Sequence, residues 1–141
     1  MPKLYISVAL REAVVERAIQ CCEYCKSQDK YSPTAFTIDH ILPESLDGKS
    51  DLENLAYACF LCNRLKSNKQ KAFDVLTDQW IPLFNPRTQN WHEHFSWNQD
   101  ASMILGISII GRCTVRELQL NRKKLVEYRK CIIPFGTHPP L

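Results

Sequence analysis

Apolar residues recur along one side of the segment from Ser7 to Gln20. Leu10, Val14 and Ala18 fall about a helical turn apart with Val15 and Ile19 beside them, while Arg11, Glu12 and Glu16 take the other positions. That period predicts an amphipathic helix. It runs into Cys21-Cys22-Glu23-Tyr24-Cys25, so the helix is expected to deliver a Cys-x-x-Cys pair as a tight turn at its end. A polar stretch over 26–33 reads as loop. Phe36-Thr37-Ile38-Asp39-His40-Ile41-Leu42 is aromatic and β-branched, stops at Pro43, and predicts a strand. After a polar surface connection with Gly48, Asn54–Ala58 resumes as an apolar strand. Cys59-Phe60-Leu61-Cys62 then turns the chain into a helix carrying Arg64, Lys66, Lys69 and Lys71. The expected order is helix, knuckle, strand, loop, strand, knuckle, helix.

Beyond Phe73 the pattern changes. Trp80, Trp91 and Trp97 lie in a short aromatic region with Pro82 and Pro86. Met103–Ile110 and Cys113–Val115 read as short strands around Gly106 and Gly111, with a helix over Val115–Lys130 after them. His92 and His94 alternate as on a strand and are read as structural, as are the tryptophans. The tail from Pro134, with Pro139-Pro140, is expected to fray.

Composition places the chain among soluble globules. It has 141 residues, 45% hydrophobic and 23% charged, about one domain's worth of ordinary sequence. The longest apolar run, Leu55 to Cys62, is far short of the ~18 residues that a membrane span needs. The apolar opening meets Arg11 and Glu12 at once with no small-residue cleavage site, so a cytoplasmic location is expected. The net charge of +3 is mild, but it is unevenly spread. Acids dominate between Asp29 and Asn54. Bases dominate from Arg64 to Lys71 and again from Arg112 to Lys130, as on a polyanion-binding surface.

Four of the seven cysteines form two Cys-x-x-Cys pairs, Cys22/Cys25 and Cys59/Cys62. In a reducing compartment such pairs read as metal ligands better than as disulfides. Two turns, each presenting two thiolates, complete a closed tetrahedral site for structural Zn²⁺. Cys21, Cys113 and Cys131 have no such partner and read as core residues or idle thiols.

Between and just after the knuckles stand Asp39-His40, Asn54 and Asn63. The stretches Cys22-Glu23-Tyr24-Cys25, Ile38-Asp39-His40-Ile41-Leu42-Pro43-Glu44-Ser45, Asp51-Leu52-Glu53-Asn54-Leu55 and Cys59-Phe60-Leu61-Cys62-Asn63-Arg64-Leu65-Lys66 together resemble the HNH endonucleases, of the ββα-metal or His-Me finger type. The resemblance covers Val8 to Lys71. It implies a ββα-metal core, with His40 activating the attacking water and Asn54 orienting the loop that bears His40. The residue types agree with that chemistry. Imidazole, with a pKa of about 6.5 in water, is a neutral base at cellular pH. Asp39 and Asn63 offer the hard oxygens that Mg²⁺ or Mn²⁺ prefers. The family's last histidine is Asn63 here, as it also is in active members, which leaves the choice of metal open.

The expectation is therefore an α+β protein. Residues 1–75 form the HNH nuclease core stapled by the four-cysteine zinc site. Residues 76–141 form a small strand-and-helix extension packed on it. Its activity is hydrolysis of DNA phosphodiesters, double-stranded DNA foremost and RNA open, with Arg64, Lys66 and Lys69 on the nucleic acid. The alternative is a zinc-knuckle module that binds nucleic acid without cutting.

Overall fold

In the computed structural model, which describes residues 5–140, the chain divides into two compact units. One runs up to Gln70 and takes back Asn85–Arg87; the other comprises Lys71–Phe84 and the chain from Thr88 onward. No described helix is long and apolar enough to cross a membrane.

The first unit opens with α1 (Val8–Arg17), capped where Ser7 Oγ accepts from Leu10 N at 3.1 Å. It ends three residues before the apolar period does, because Ile19 and Gln20 take left-handed backbone (φ 55° and 57°) to swing the chain into the first knuckle. Lys26 N donates to Cys22 O at 2.9 Å and closes that knuckle. β1 (Thr37–His40) and β2 (Leu55–Ala58) pair antiparallel, with Asp39 opposite Ala56 and His40 opposite Leu55. All of β2 is buried, which is why its sequence is continuously apolar and does not alternate. α2 (Phe60–Lys66) follows at once, capped by a sulfur: Cys59 Sγ accepts from Cys62 N at 3.4 Å. Val14, Tyr24, Phe36, Leu55 and Tyr57 fill the interior. The connection from β1 to β2 folds tightly on itself. A Cβ on Gly48 would stand 1.7 Å from Leu42 O, so only glycine fits there.

The second unit contains the hairpin β3 (Lys71–Asp74) and β4 (Gln79–Pro82), the one-turn helix α3 (Trp91–His94), and the pair β5 (Phe95–Trp97) and β6 (Ile104–Gly106). Two helices, α4 (Ile109–Glu117) and α5 (Lys123–Ile132), complete it. Here the sequence reading needs correction at several points. Cys113–Val115 is not a strand but the middle of α4. The helix is capped by Ser108, whose Oγ accepts from Gly111 N at 2.9 Å, and Gly111, Thr114 and Leu118 form a buried stripe at helical spacing. The predicted single helix over Val115–Lys130 is two. The chain turns between them through Gln119 (φ 47°), and the Asn121 side chain pairs with both Ile104 N and Ile104 O. His92 and His94 lie in α3 under an Asn90 cap, where residues do not alternate between two faces. Trp91 is buried as expected, but Trp80 is 66% exposed. Among the described residues the tail is packed and not frayed: the His138 ring meets Trp97 edge-on at 4.7 Å and its Nε2 lies 2.8 Å from Ala101 O.

Gly111 carries a direct test of this packing. A Cβ there would lie 1.9 Å from His94 O, a backbone atom that cannot swing aside. In an open helix Gly→Ala stabilises by about 1 kcal/mol. Gly111→Ala is expected to do the reverse, costing about 1–3 kcal/mol through overpacking, as read from the chemical-denaturation midpoint.

Candidate functional site

The two knuckles meet. Cys22, Cys25, Cys59 and Cys62 are all buried, and their sulfurs lie within 4.8 Å of one another, Cys25 and Cys59 at 3.7 Å. A tetrahedron of sulfurs around zinc at ~2.3 Å has edges of about 3.8 Å, so the cluster already has nearly the size the ion requires. Within the cluster, hydrogen bonds from the neighbouring thiols hold the Cys25 thiol well below its ordinary range, while burial pushes the Cys22 thiol well above it. A buried anionic sulfur is costly without a cation, and the donor set suits zinc.

From this cluster the intervening residues reach to the strands. Glu23 N donates to Tyr57 O, and Tyr57 N donates back to Glu23 Oε2, each at 2.8 Å, so the first knuckle is stitched to β2. Burial pushes the Glu23 carboxyl above its ordinary range, and Arg87 answers it with a salt bridge to Oε1 while also donating to Leu55 O. Tyr24 OH donates to Asp39 Oδ2 at 2.7 Å. Burial, with the Asp39 charge beside it, puts that hydroxyl well above the usual tyrosine range, so it stays a donor. The Tyr57 hydroxyl, pushed to about 12 by burial and its bond to Asp29, does the same.

Asp39 is 3% exposed. Burial raises its carboxyl above the ordinary range, opposed by the Lys66 ammonium and the Tyr24 hydrogen bond. Lys66 departs from the sequence reading: it is 2% exposed and its Nζ lies 3.3 Å from Asp39 Oδ2, so it presents no charge on the surface of α2. The reason is helical spacing. Position 66 falls on the side of α2 that packs on β1, whereas Arg64 and Lys69 are exposed. Asn63, three residues before Lys66, shares its side of the helix and is half-buried. Among the described residues no hydrogen bond engages its side-chain amide.

His40, next along β1, points to the opposite face of the strand from Asp39. Its Nε2 lies 2.8 Å from Ser50 Oγ and 3.4 Å from Glu44 Oε1. Asn54 spends its whole amide on the loop between the strands: Oδ1 accepts from Leu42 N, and Nδ2 donates to Leu42 O and Lys49 O at 2.8–3.0 Å. Lys49 precedes Ser50, so Asn54 fixes the segment that holds the His40 ring. Sequence reasoning passed over Ser50, Glu44, Tyr24 and Arg87. Only Tyr24, enclosed between two ligand cysteines, had a signal that could have marked it.

The basic run over Arg112–Lys130 is mostly committed within its own unit. Arg112 pairs with Asp74, Arg116 donates to Phe73 O, and Arg129, 1% exposed, lies over the Trp97 ring and donates to Ser102 O and Leu120 O. Burial of Arg129 is a correction to the reading of that run as an open cationic face.

Residues 22–69 match the family model described as HNH endonuclease. No curated protein matches the chain.

Zinc accounts for the cluster if the folded chain holds one ion and depends on it. Elemental analysis is expected to give one zinc per chain. Stripping it with a strong chelator is expected to lower the melting temperature by about 10 °C or more, since structural zinc contributes several kcal/mol to folding in units of this size. Cys59→Ser, which removes a ligand thiolate while leaving a hydroxyl able to cap α2, should do the same. A metal-free chain with an unchanged melting temperature contradicts the site.

Proposed function

We propose that this chain, which carries an HNH endonuclease-family domain over residues 22–69, is a metal-dependent endonuclease that hydrolyses DNA phosphodiesters with His40 as general base. The observation that carries the reading is the setting of His40 within the matched segment. Nε2 lies 2.8 Å from Ser50 Oγ; in the tautomer that carries its proton on Nε2, the lone pair of Nδ1 is the basic one, and among the described residues no hydrogen bond engages Nδ1. Asn54 keeps that ring from turning by holding the loop on which Ser50 stands. His40 takes a proton from water as it attacks phosphorus.

The donor types support a catalytic ion: a carboxylate and an amide oxygen are what Mg²⁺ or Mn²⁺ takes. Asp39 already holds a cation, the Lys66 ammonium, and the Asn63 amide oxygen is available on the same side of α2 as Lys66. Asp39 and Asn63 would hold Mg²⁺ or Mn²⁺, which supplies Lewis acidity and clamps the phosphate oxygens when bound. Arg64 and Lys69 face outward and would contact the nucleic-acid backbone. The rival reading is a zinc-knuckle module that binds nucleic acid without cutting. It draws on one observation, the near-complete burial and pairing of Asp39.

Plasmid incubated with the protein in Mg²⁺ or Mn²⁺ separates the two. His40→Ala is expected to lower the nicking rate about 10²–10⁴-fold with zinc content and DNA affinity unchanged, and excess Mn²⁺ should not restore it. Asn63→Ala should lose activity through weaker metal binding and regain part of it at high Mn²⁺. Wild-type protein inert with every divalent metal favours the binding module.

Binding itself is expected to weaken linearly in log affinity against log salt. Arg64→Ala and Lys69→Ala should each reduce the slope by about 0.9, the contribution of one phosphate contact. Fluorescence anisotropy of a labelled duplex across a salt series measures it. A slope unchanged in both variants removes α2 and the turn that follows it from the interface.

A further inference from the structure

Lys66 is the charged group of the candidate centre for which the proposed reaction has no use. It stands on α2 three residues beyond Asn63, and its ammonium straddles the Asp39 carboxylate: Nζ lies 3.3 Å from Oδ2 and 3.4 Å from Oδ1, with the Ile41 carbonyl also at 3.4 Å. All three distances exceed the ~2.7–2.9 Å of a close charge-assisted hydrogen bond. The short bond to Asp39 belongs to Tyr24 instead, at 2.7 Å. Tyr24 therefore fixes where the carboxylate sits, while Lys66 supplies its charge balance without a tight directional tie.

A lysine is suited to that role. It is a compact point charge on a flexible stem, and it can leave by rotating its own side chain. A buried carboxylate must have a cation beside it, but a second cation brought to the same two oxygens is repelled by the first. The two cannot share Asp39 on equal terms.

We propose that Lys66 is the resident cation of the Asp39 site: its ammonium neutralises the carboxylate in the metal-free chain, competes with a divalent cation for it, and is released when that cation binds. The proposal rests on the nuclease reading insofar as that reading makes Asp39 a ligand. It also accounts for the burial of Lys66, the lysine that ends α2, in an otherwise exposed basic segment. Once displaced, the ammonium is a free positive charge on the same side of α2 as Asn63, available to a phosphate only after the metal is in place. Metal loading then precedes full engagement of the nucleic acid.

The test uses the zinc-loaded full chain and the reactivity of lysines toward an acetylating N-hydroxysuccinimide ester, followed by peptide mass spectrometry with and without Mg²⁺ or Mn²⁺. Lys66 should be acetylated slowly without divalent metal and about tenfold faster at saturation, the factor expected if the lysine-bound form outweighs the released form about ten to one. Lys124, whose side chain is 91% exposed, should react at the same rate throughout. In Asp39→Asn, added metal should leave the Lys66 rate unchanged. A wild-type Lys66 rate that ignores both metals overturns the proposal, and so does a metal-driven rise that persists in Asp39→Asn. Plasmid cleavage without Lys66 release overturns the competition and leaves the nuclease reading standing. Lys66 release without cleavage supports the competition and overturns the nuclease reading.

Discussion

The first unit depends on one constraint, the convergence of four sulfurs from residues that are far apart in the chain. Cys22 and Cys25 come from the turn after α1, Cys59 and Cys62 from the junction of β2 and α2. Bringing them within 4.8 Å fixes where the first knuckle lies against the strands. The residues between the first two cysteines can then act. Glu23 exchanges two hydrogen bonds with Tyr57 on β2, one from its backbone N–H and one to its carboxylate, and Tyr24 reaches Asp39 on β1. The sulfur cluster thus holds both strands through the knuckle's own side chains. A unit of this size has little apolar area with which to order long loops, so a cross-link of this kind carries much of its stability.

The same arrangement explains what was legible in the sequence. The knuckles were, because Cys-x-x-Cys is a local pattern with one geometric meaning. β1, β2 and α2 were legible as elements but not in their lengths: β1 stops at His40, short of Pro43, and α2 stops at Lys66, so Lys69 lies beyond the helix and Lys71 opens β3. Asn54 was marked by resemblance, and its three hydrogen bonds to the 42–49 loop give that mark a physical basis. Arg87 stood in a noticed motif, Phe84-Asn85-Pro86-Arg87, that carried no role. It lies 64 positions from Glu23, and nothing in its neighbourhood indicates that residues 85–87 return to the first unit. α4 was misread because its β-branched residues mimic a strand, while the deciding signals, the Ser108 cap and the Gly111, Thr114, Leu118 stripe, are read only at helical period.

Charge was the least transparent property. Lys66 and Arg129 look alike in a sequence, members of basic runs that suggest a surface for polyanions, and both are almost wholly buried. Their solutions differ. Arg129 meets carbonyl oxygens and the face of Trp97, partners that a planar guanidinium can satisfy at several nitrogens together. Lys66 meets a carboxylate, a carbonyl and little else, at distances that leave its ammonium loosely held. The first is a structural cation with many directional bonds, and removing it would leave several acceptors unpaired.

The second is a cation with one anionic partner that matters, and that partner is fixed independently by Tyr24. Such a pair is poorly explained as a device for stability, since desolvating two charges costs about as much as their attraction returns. The proposed exchange gives it another reason. A buried aspartate held in one place by a neutral hydroxyl and balanced by an ammonium on a flexible stem keeps its negative charge in position, which is what a site whose cation is exchanged would require. On the proposed exchange, the Lys66 ammonium offsets the cost of burying the Asp39 charge until a metal arrives, so the burial of Asp39 does not by itself argue against a metal ligand.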